Sequence, residues 1–213
     1  MSLRKRLGIV AGMSTAVIVT AGALIAFSAH ADAPAISEPA PAFTGTTATG
    51  ETLSLSDFEG STVVLEWTNH DCPFVKKHYD AEYANMQTLQ SGAAADDVVW
   101  ISVISSAPGK QGHVSSAEAL ALSEARSASP AHILIDESGD IGRAYAAKTT
   151  PHMYVIEPDG DLAYDGAIDS ISSARTSDIP PATNYVTAAL TAVAAGEAAD
   201  PGATKPYGCS VKY

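Results

Sequence analysis

The stretch "TNHDCPFVKKHY", Thr68 to Tyr79, sets Cys72 between a histidine and two lysines, with Pro73 directly after it. A second cysteine, Cys209, stands in the C-terminal "PYGCSVKY". Residues of these types support three chemistries: a thiolate nucleophile, half of a disulfide, or a sulfur ligand to a metal. Pro73 suits the first turn of a helix, where its missing N–H would have no partner anyway, so a helix is predicted from Cys72-Pro73 through Tyr83 and Met86 to about Leu89. That places the sulfur among the unpaired N–H groups of a helix start, which favour thiolate over thiol. Lys76, Lys77 and His70 add to this if they face the sulfur, and Asp71 opposes it. His70, Cys72, His78 and Cys209 are also an N and S donor set suited to Cu(I) or Zn. No C-x-x-C exists: Val75 lies three residues after Cys72 and Asn69 three before.

The elements that must position these groups alternate between strand and helix. "GETLSLSDFEG" reads as a short hairpin strand and one helical turn, and "TVVLEW" (Thr62 to Trp67) as a buried strand leading into the cysteine. "VVWISVI" (Val98 to Ile104) and "HILID" (His132 to Asp136) are two more strands, separated by a helix from Ser116 to Arg126 and followed by a short one around Ile141 to Tyr145. "HMYVIE" and "LAYDG" flank the turn Pro158-Asp159-Gly160 as an antiparallel hairpin, and Asn184 to Ala195 closes the domain as a helix. The pattern predicts an α/β sandwich with a mixed central sheet. Pro201, Gly202, Pro206 and Gly208 predict an irregular tail without a strand or helix of its own.

Compartment and charge narrow the function classes. Residues 1–31 read as an export signal, with Arg4, Lys5 and Arg6 before an apolar stretch and Ala29-His30-Ala31 as a small-x-small cleavage site. Cleavage and retention as an N-terminal anchor both remain open, and retention would be the chain's one link to a membrane. Export, to a periplasm-like space, makes a disulfide between two cysteines the default expectation. Losing three basic and no acidic residues takes the formal charge from -12 to -15, which disfavours nucleic acid as a partner. Residues 32–42, rich in alanine and proline, are predicted as a flexible linker, and residues 43–213 as one domain.

Phe43 with "GETLSLSDFEGSTVVLEW", the hairpin "TTPHMYVIEPDGDLAYDGAID" and the tail "PYGCSVKY" together resemble the redoxins. These include the alkyl hydroperoxide reductase C/thiol-specific antioxidant proteins and the TlpA/ResA-type thioredoxins. The resemblance implies a thioredoxin-like α/β/α sandwich, a cis Thr150-Pro151 bond, and a substrate-binding edge formed by Thr150 and Pro151 against Cys72. It also implies thiol oxidoreductase chemistry without a cofactor, on a thiol or disulfide protein partner or on a peroxide. Cys72 then acts as nucleophile and Cys209 as resolving thiol, with Asn69 and Pro73 framing the site. A peroxiredoxin, however, carries Pro-x-x-x-Thr-x-x-Cys, and here those positions hold Leu65 and Asn69, while Thr150-Pro151 stands in place of its arginine. Two other readings stay open: a Sco-like copper or zinc carrier, and a non-catalytic redoxin stapled by a structural Cys72–Cys209 disulfide.

Other residues receive plainer expectations. Lys76 and Lys77 read as a solvated helix face, and Asp136, Arg143 and Asp169 as surface charges. His113 is a loop residue, His132 and His152 are strand-end residues, and Trp67 and Trp100 are core, with Trp67 near enough in sequence to shield the thiol.

Overall fold

The computed structural model describes residues 33–213; the predicted export signal lies outside them. Among the described residues no helix is long and apolar enough to cross a membrane. The chain forms β1 (Thr44–Thr47) and β2 (Thr52–Ser54), a 3₁₀ turn over Leu55–Phe58, then β3 (Val63–Trp67), α1 (Pro73–His78) and α2 (Asn85–Ala95). There follow β4 (Val99–Ile104), α3 (Ser116–Ala125), β5 (His132–Ile135), α4 (Asp140–Ala144) and β6 (Thr149–Thr150). The hairpin β7 (His152–Ile156) and β8 (Leu162–Gly166), then α5 (Tyr185–Ala195) and β9 (Cys209–Ser210), complete the chain.

Seven strands form one sheet in the order β2-β1-β5-β4-β3-β7-β8, with β3, β4 and β5 parallel and the remaining pairs antiparallel. This is the predicted mixed sheet. Alternation along β3 divides the core in two, because successive side chains point to opposite faces. Val63, Leu65 and Trp67 join Ile101, Tyr145 and Tyr154 on one face, and Val64 joins Cys72, Val75, Met86, Trp100 and Val186 on the other. Trp67 therefore packs away from Cys72 and cannot shield it.

Three predictions need correction. The single helix from Cys72 to Leu89 is two: α1 stops at His78, and Ala84 adopts a left-handed φ of 45° before α2. No proline or glycine breaks it. Instead the Asp80 carboxylate accepts the Glu82 N–H at 3.0 Å, a local bond that competes with helix. The break lets Tyr79 enter the core, where its hydroxyl donates to both oxygens of the buried Glu66 at 2.9 and 3.0 Å. The stretch expected to be a flexible linker is docked over part of its length: Ser37 N–H donates to Leu162 O, Leu162 N–H to Glu38 O, and Ala40 N–H to Gly160 O, each at 2.9 Å. Ile36 also packs against the core.

The tail is the third correction. β9 pairs antiparallel with β6, Thr150 opposite Cys209 and Thr149 opposite Ser210. Val211 N–H donates to Lys148 O at 3.1 Å, and Ala107 N–H donates to Lys212 O at 2.9 Å, which extends the docking. Among the tail's glycines and prolines no pattern shows in the sequence, because a two-residue strand has no period to read.

Candidate active site

Cys72 is the N-cap of α1 and Pro73 its first residue, as predicted. The turn before them is built by Asn69. Its carbonyl accepts the Cys72 N–H at 3.0 Å, its side-chain oxygen accepts the Asp71 N–H at 2.9 Å, and its amide donates to Gln111 O at 3.2 Å. Asn69 thus aims Cys72 through the backbone, and its side chain is spent within the loop. From the opposite side come the Thr150-Pro151 bond, which is cis, and the Thr150 carbonyl, which accepts the Cys72 S–H at 3.0 Å. The tail closes the third side: the Cys209 N–H donates to the Cys72 sulfur at 3.4 Å. Cys72, Asn69, Pro73, Thr150, Pro151 and Cys209 therefore converge.

Both cysteines are free in this structure, so the default disulfide is not formed in it. Cys72 is fully buried under the tail, and Cys209 is partly exposed. Burial works against ionisation of Cys72, but hydrogen bonds from the Cys209 thiol and from the Val75 and Cys209 N–H groups outweigh it and hold the thiol below its ordinary pKa. Cys209 moves the other way: burial and the neighbouring Cys72 push it up to about 11, against the pull of Lys212. Of the two, Cys72 is the one poised as thiolate.

The charged neighbours that could have reinforced this are engaged elsewhere. His70 and Lys76 lie 3.4 and 3.9 Å from the Asp71 carboxylate. Lys77, read as solvated, is buried, and its ammonium donates to Asp169 at 2.9 Å and to Ile171 O at 3.2 Å. Asp169 and Asp136, read as surface charges, are buried too. Asp136 accepts from the Ser105 hydroxyl and from the Ile141 and Gly142 N–H groups at the start of α4. Arg143 is exposed, as expected, and stacks on Tyr213. His113 sits on its loop 2.9 Å from Glu137, and buried His152 is 2.7 Å from Asp165.

Two groupings near the site escaped sequence reasoning. The buried carboxylate of Glu66 accepts from Gln90, Trp100 and Ser102 at 3.0 to 3.2 Å in addition to Tyr79. On the other side of α1, Lys77, His78, Asp169 and Tyr207 form a cluster with Asn85 behind it. His78 has both ring nitrogens occupied, by Tyr207 at 3.2 Å and Asn85 at 2.9 Å, and burial first of all drops its pKa to about 4. It is therefore neutral and unavailable as a metal ligand. Among the described residues no group of three or more His, Cys, Asp or Glu is arranged to hold a metal.

Residues 36–165 match the model of the AhpC/TSA family, a span that includes Cys72 and Thr150-Pro151 and ends before the tail. No curated protein matches the chain. Among solved structures, an uncharacterised conserved protein from Geobacillus kaustophilus is similar at 26% identity and a TM-score of 0.72, over 84% of this chain and 92% of that one. A hypothetical protein from Sinorhizobium meliloti is similar at 19% identity and a TM-score of 0.68, over 85% and 96%. A proposed thiol:disulfide interchange protein, DsbE, from Chlorobium tepidum shares the fold at 21% identity and a TM-score of 0.50, over 62% and 85%.

Proposed function

The chain belongs to the AhpC/TSA family, and from that premise we propose that it is an exported thiol-disulfide oxidoreductase working through Cys72 and Cys209. One observation carries the reading: a buried, acidified Cys72 sulfur lies 3.4 Å from the backbone N–H of the only other cysteine, which a strand pairing holds in register with Thr150. The name of the Chlorobium tepidum neighbour points the same way.

In the exchange step the Cys72 thiolate attacks one sulfur of a partner disulfide, forms a mixed disulfide and releases the partner's other sulfur as a thiolate. That thiolate takes the proton of Cys209. The Cys209 sulfur then attacks Cys72, expels the partner's second thiolate and leaves a Cys72–Cys209 disulfide. The partner gains two electrons and the pair loses two, so an exported dithiol must reset it. Because the tail covers Cys72, a protein disulfide reaches the sulfur only when the tail lifts.

Peroxide is the weaker substrate. Leu65 faces the core on the far side of the sheet, and the Asn69 side chain is bonded within its loop. Neither donates to a leaving oxygen, and one such donor is worth about 10²-fold in rate. The carrier reading loses support because His78 is fully hydrogen-bonded. The test is oxidation of the purified protein followed by mass analysis without reductant. An internal Cys72–Cys209 bridge is expected, together with a stalled mixed disulfide at Cys72 when Cys209→Ser meets a disulfide substrate. Normal turnover by Cys209→Ser would overturn the assignment.

A further inference from the structure

Two residues before Cys209, the Tyr207 ring leaves the tail and packs edge-on against Phe74 of α1, with ring centroids 5.8 Å apart. Its hydroxyl meets three partners. It donates to the buried Asp169 carboxylate, and it accepts from Lys77 at 3.4 Å and from His78 Nε2 at 3.2 Å. The His78 proton sits on Nε2 because Asn85 donates to Nδ1 at 2.9 Å. Asn85 is in turn contacted by the side chain of Asn184, the cap of α5. Between Tyr207 and Cys209, Gly208 has a φ of 142°, and a Cβ there would lie 2.0 Å from Thr150 O, so the chain passes flush against the cis-proline edge. Phe74, Lys77 and His78 all belong to the helix that begins at Cys72. One rigid element thus sets both the nucleophile and the socket that receives the tail.

From this arrangement we infer that Tyr207 is a positioning residue: its hydroxyl, seated in the Lys77–Asp169–His78 socket, latches the tail so that Cys209 is held over Cys72 and Cys72 stays covered. The inference rests on the two-cysteine reading for its purpose, and on the socket geometry alone for its existence. The buried Lys77–Asp169 pair is also met by the Ile171 carbonyl and N–H, and the tyrosine hydroxyl adds a further partner to both charged groups. Removing the hydroxyl takes away its three hydrogen bonds, two of them to charged groups, which corresponds to roughly a tenfold change in the opening equilibrium or more.

The experiment compares wild type with Tyr207→Phe, which keeps the ring on Phe74. In reduced protein carrying Cys209→Ser, labelling of Cys72 by a bulky maleimide should accelerate about tenfold or more on Tyr207→Phe, while the thermal midpoint falls by only the few degrees that such a lost contact implies. With both cysteines present, the equilibrium constant for the internal disulfide against glutathione should fall by a similar factor. An unchanged labelling rate would overturn the latch. Equally fast labelling in Val63→Ala, a substitution in the core face opposite Cys72 with a comparable loss of midpoint, would also overturn it, since a merely structural residue loosens the whole fold. Wild type that forms no internal disulfide, yet shows the labelling difference, would sink the two-cysteine reading and leave the latch standing.

Discussion

At the residue scale, burial decides which titratable groups carry charge and which carry function. His78 is the clearest case. Its folded pKa of about 4 lies below the ordinary 6.5, so between those values the unfolded chain binds a proton that the folded chain refuses. Stability is therefore fully present above about pH 6.5 and falls on acidification towards pH 4, by on the order of 3 kcal/mol for this group. Asp169 and Lys77 face it: the carboxylate pulls the pKa up, the ammonium pushes it down, and burial prevails. Urea midpoints measured from pH 7 to pH 4 should show the slope in wild type and a flatter one in His78→Gln. Glu66 makes a second prediction. Its oxygens accept from four side chains, so Glu66→Gln presents an amide donor to donors and should cost about 1–3 kcal/mol of stability, read from the same midpoints.

At the element scale, the short α1 and the two-residue pairing of β6 with β9 do most of the positioning. A single bridge of this length has little stability of its own, and Gly208 is the position where it is most easily broken. Gly208→Ala would drive a Cβ into the Thr150 carbonyl at a φ that side chains avoid. The tail should come off its edge while the seven-stranded sheet stays intact. Two measurements check this: Cys72 should become far more reactive towards a bulky thiol reagent, and the far-ultraviolet circular dichroism should not change. If Cys72 stays as slow as in wild type, the tail is not what covers it.

At the scale of the whole molecule, the two cysteines are 137 positions apart, and a bridge between them would close about three quarters of the described chain. The chain-entropy model assigns a loop of that size about 4–5 kcal/mol. That figure comes from restricting the unfolded chain, so it applies to a staple and to a redox couple alike. What separates them is chemistry: the reduced protein already holds the tail by strand pairing and by Tyr207, so we expect Cys209→Ser to lose turnover before it loses its fold. Turnover indifferent to Cys209 would mark the bridge as a staple.

What the sequence determined by itself were features whose physical cause is local and strong. The β-branched runs of β3, β4 and β5, the Asp-Gly turn between β7 and β8, Pro73 behind Cys72 and the Asn184 cap all declare themselves within a few residues. The redoxin resemblance followed from those same stretches, and the convergence of Cys72, Thr150-Pro151 and Cys209 was legible through it. The break between α1 and α2 was not read, because the Asp80–Glu82 bond competes with the helix only where Tyr79 also finds a core place on Glu66 of β3, a partner 13 positions away. Lys77 and Asp169 looked like surface charges, since a charge is expected in water unless a partner meets it, and Tyr207 carried no signal of its own. Their partners lie 92 and 130 positions away along the chain, and only the folding of α1, the loop after β8 and the tail onto one another brings them together.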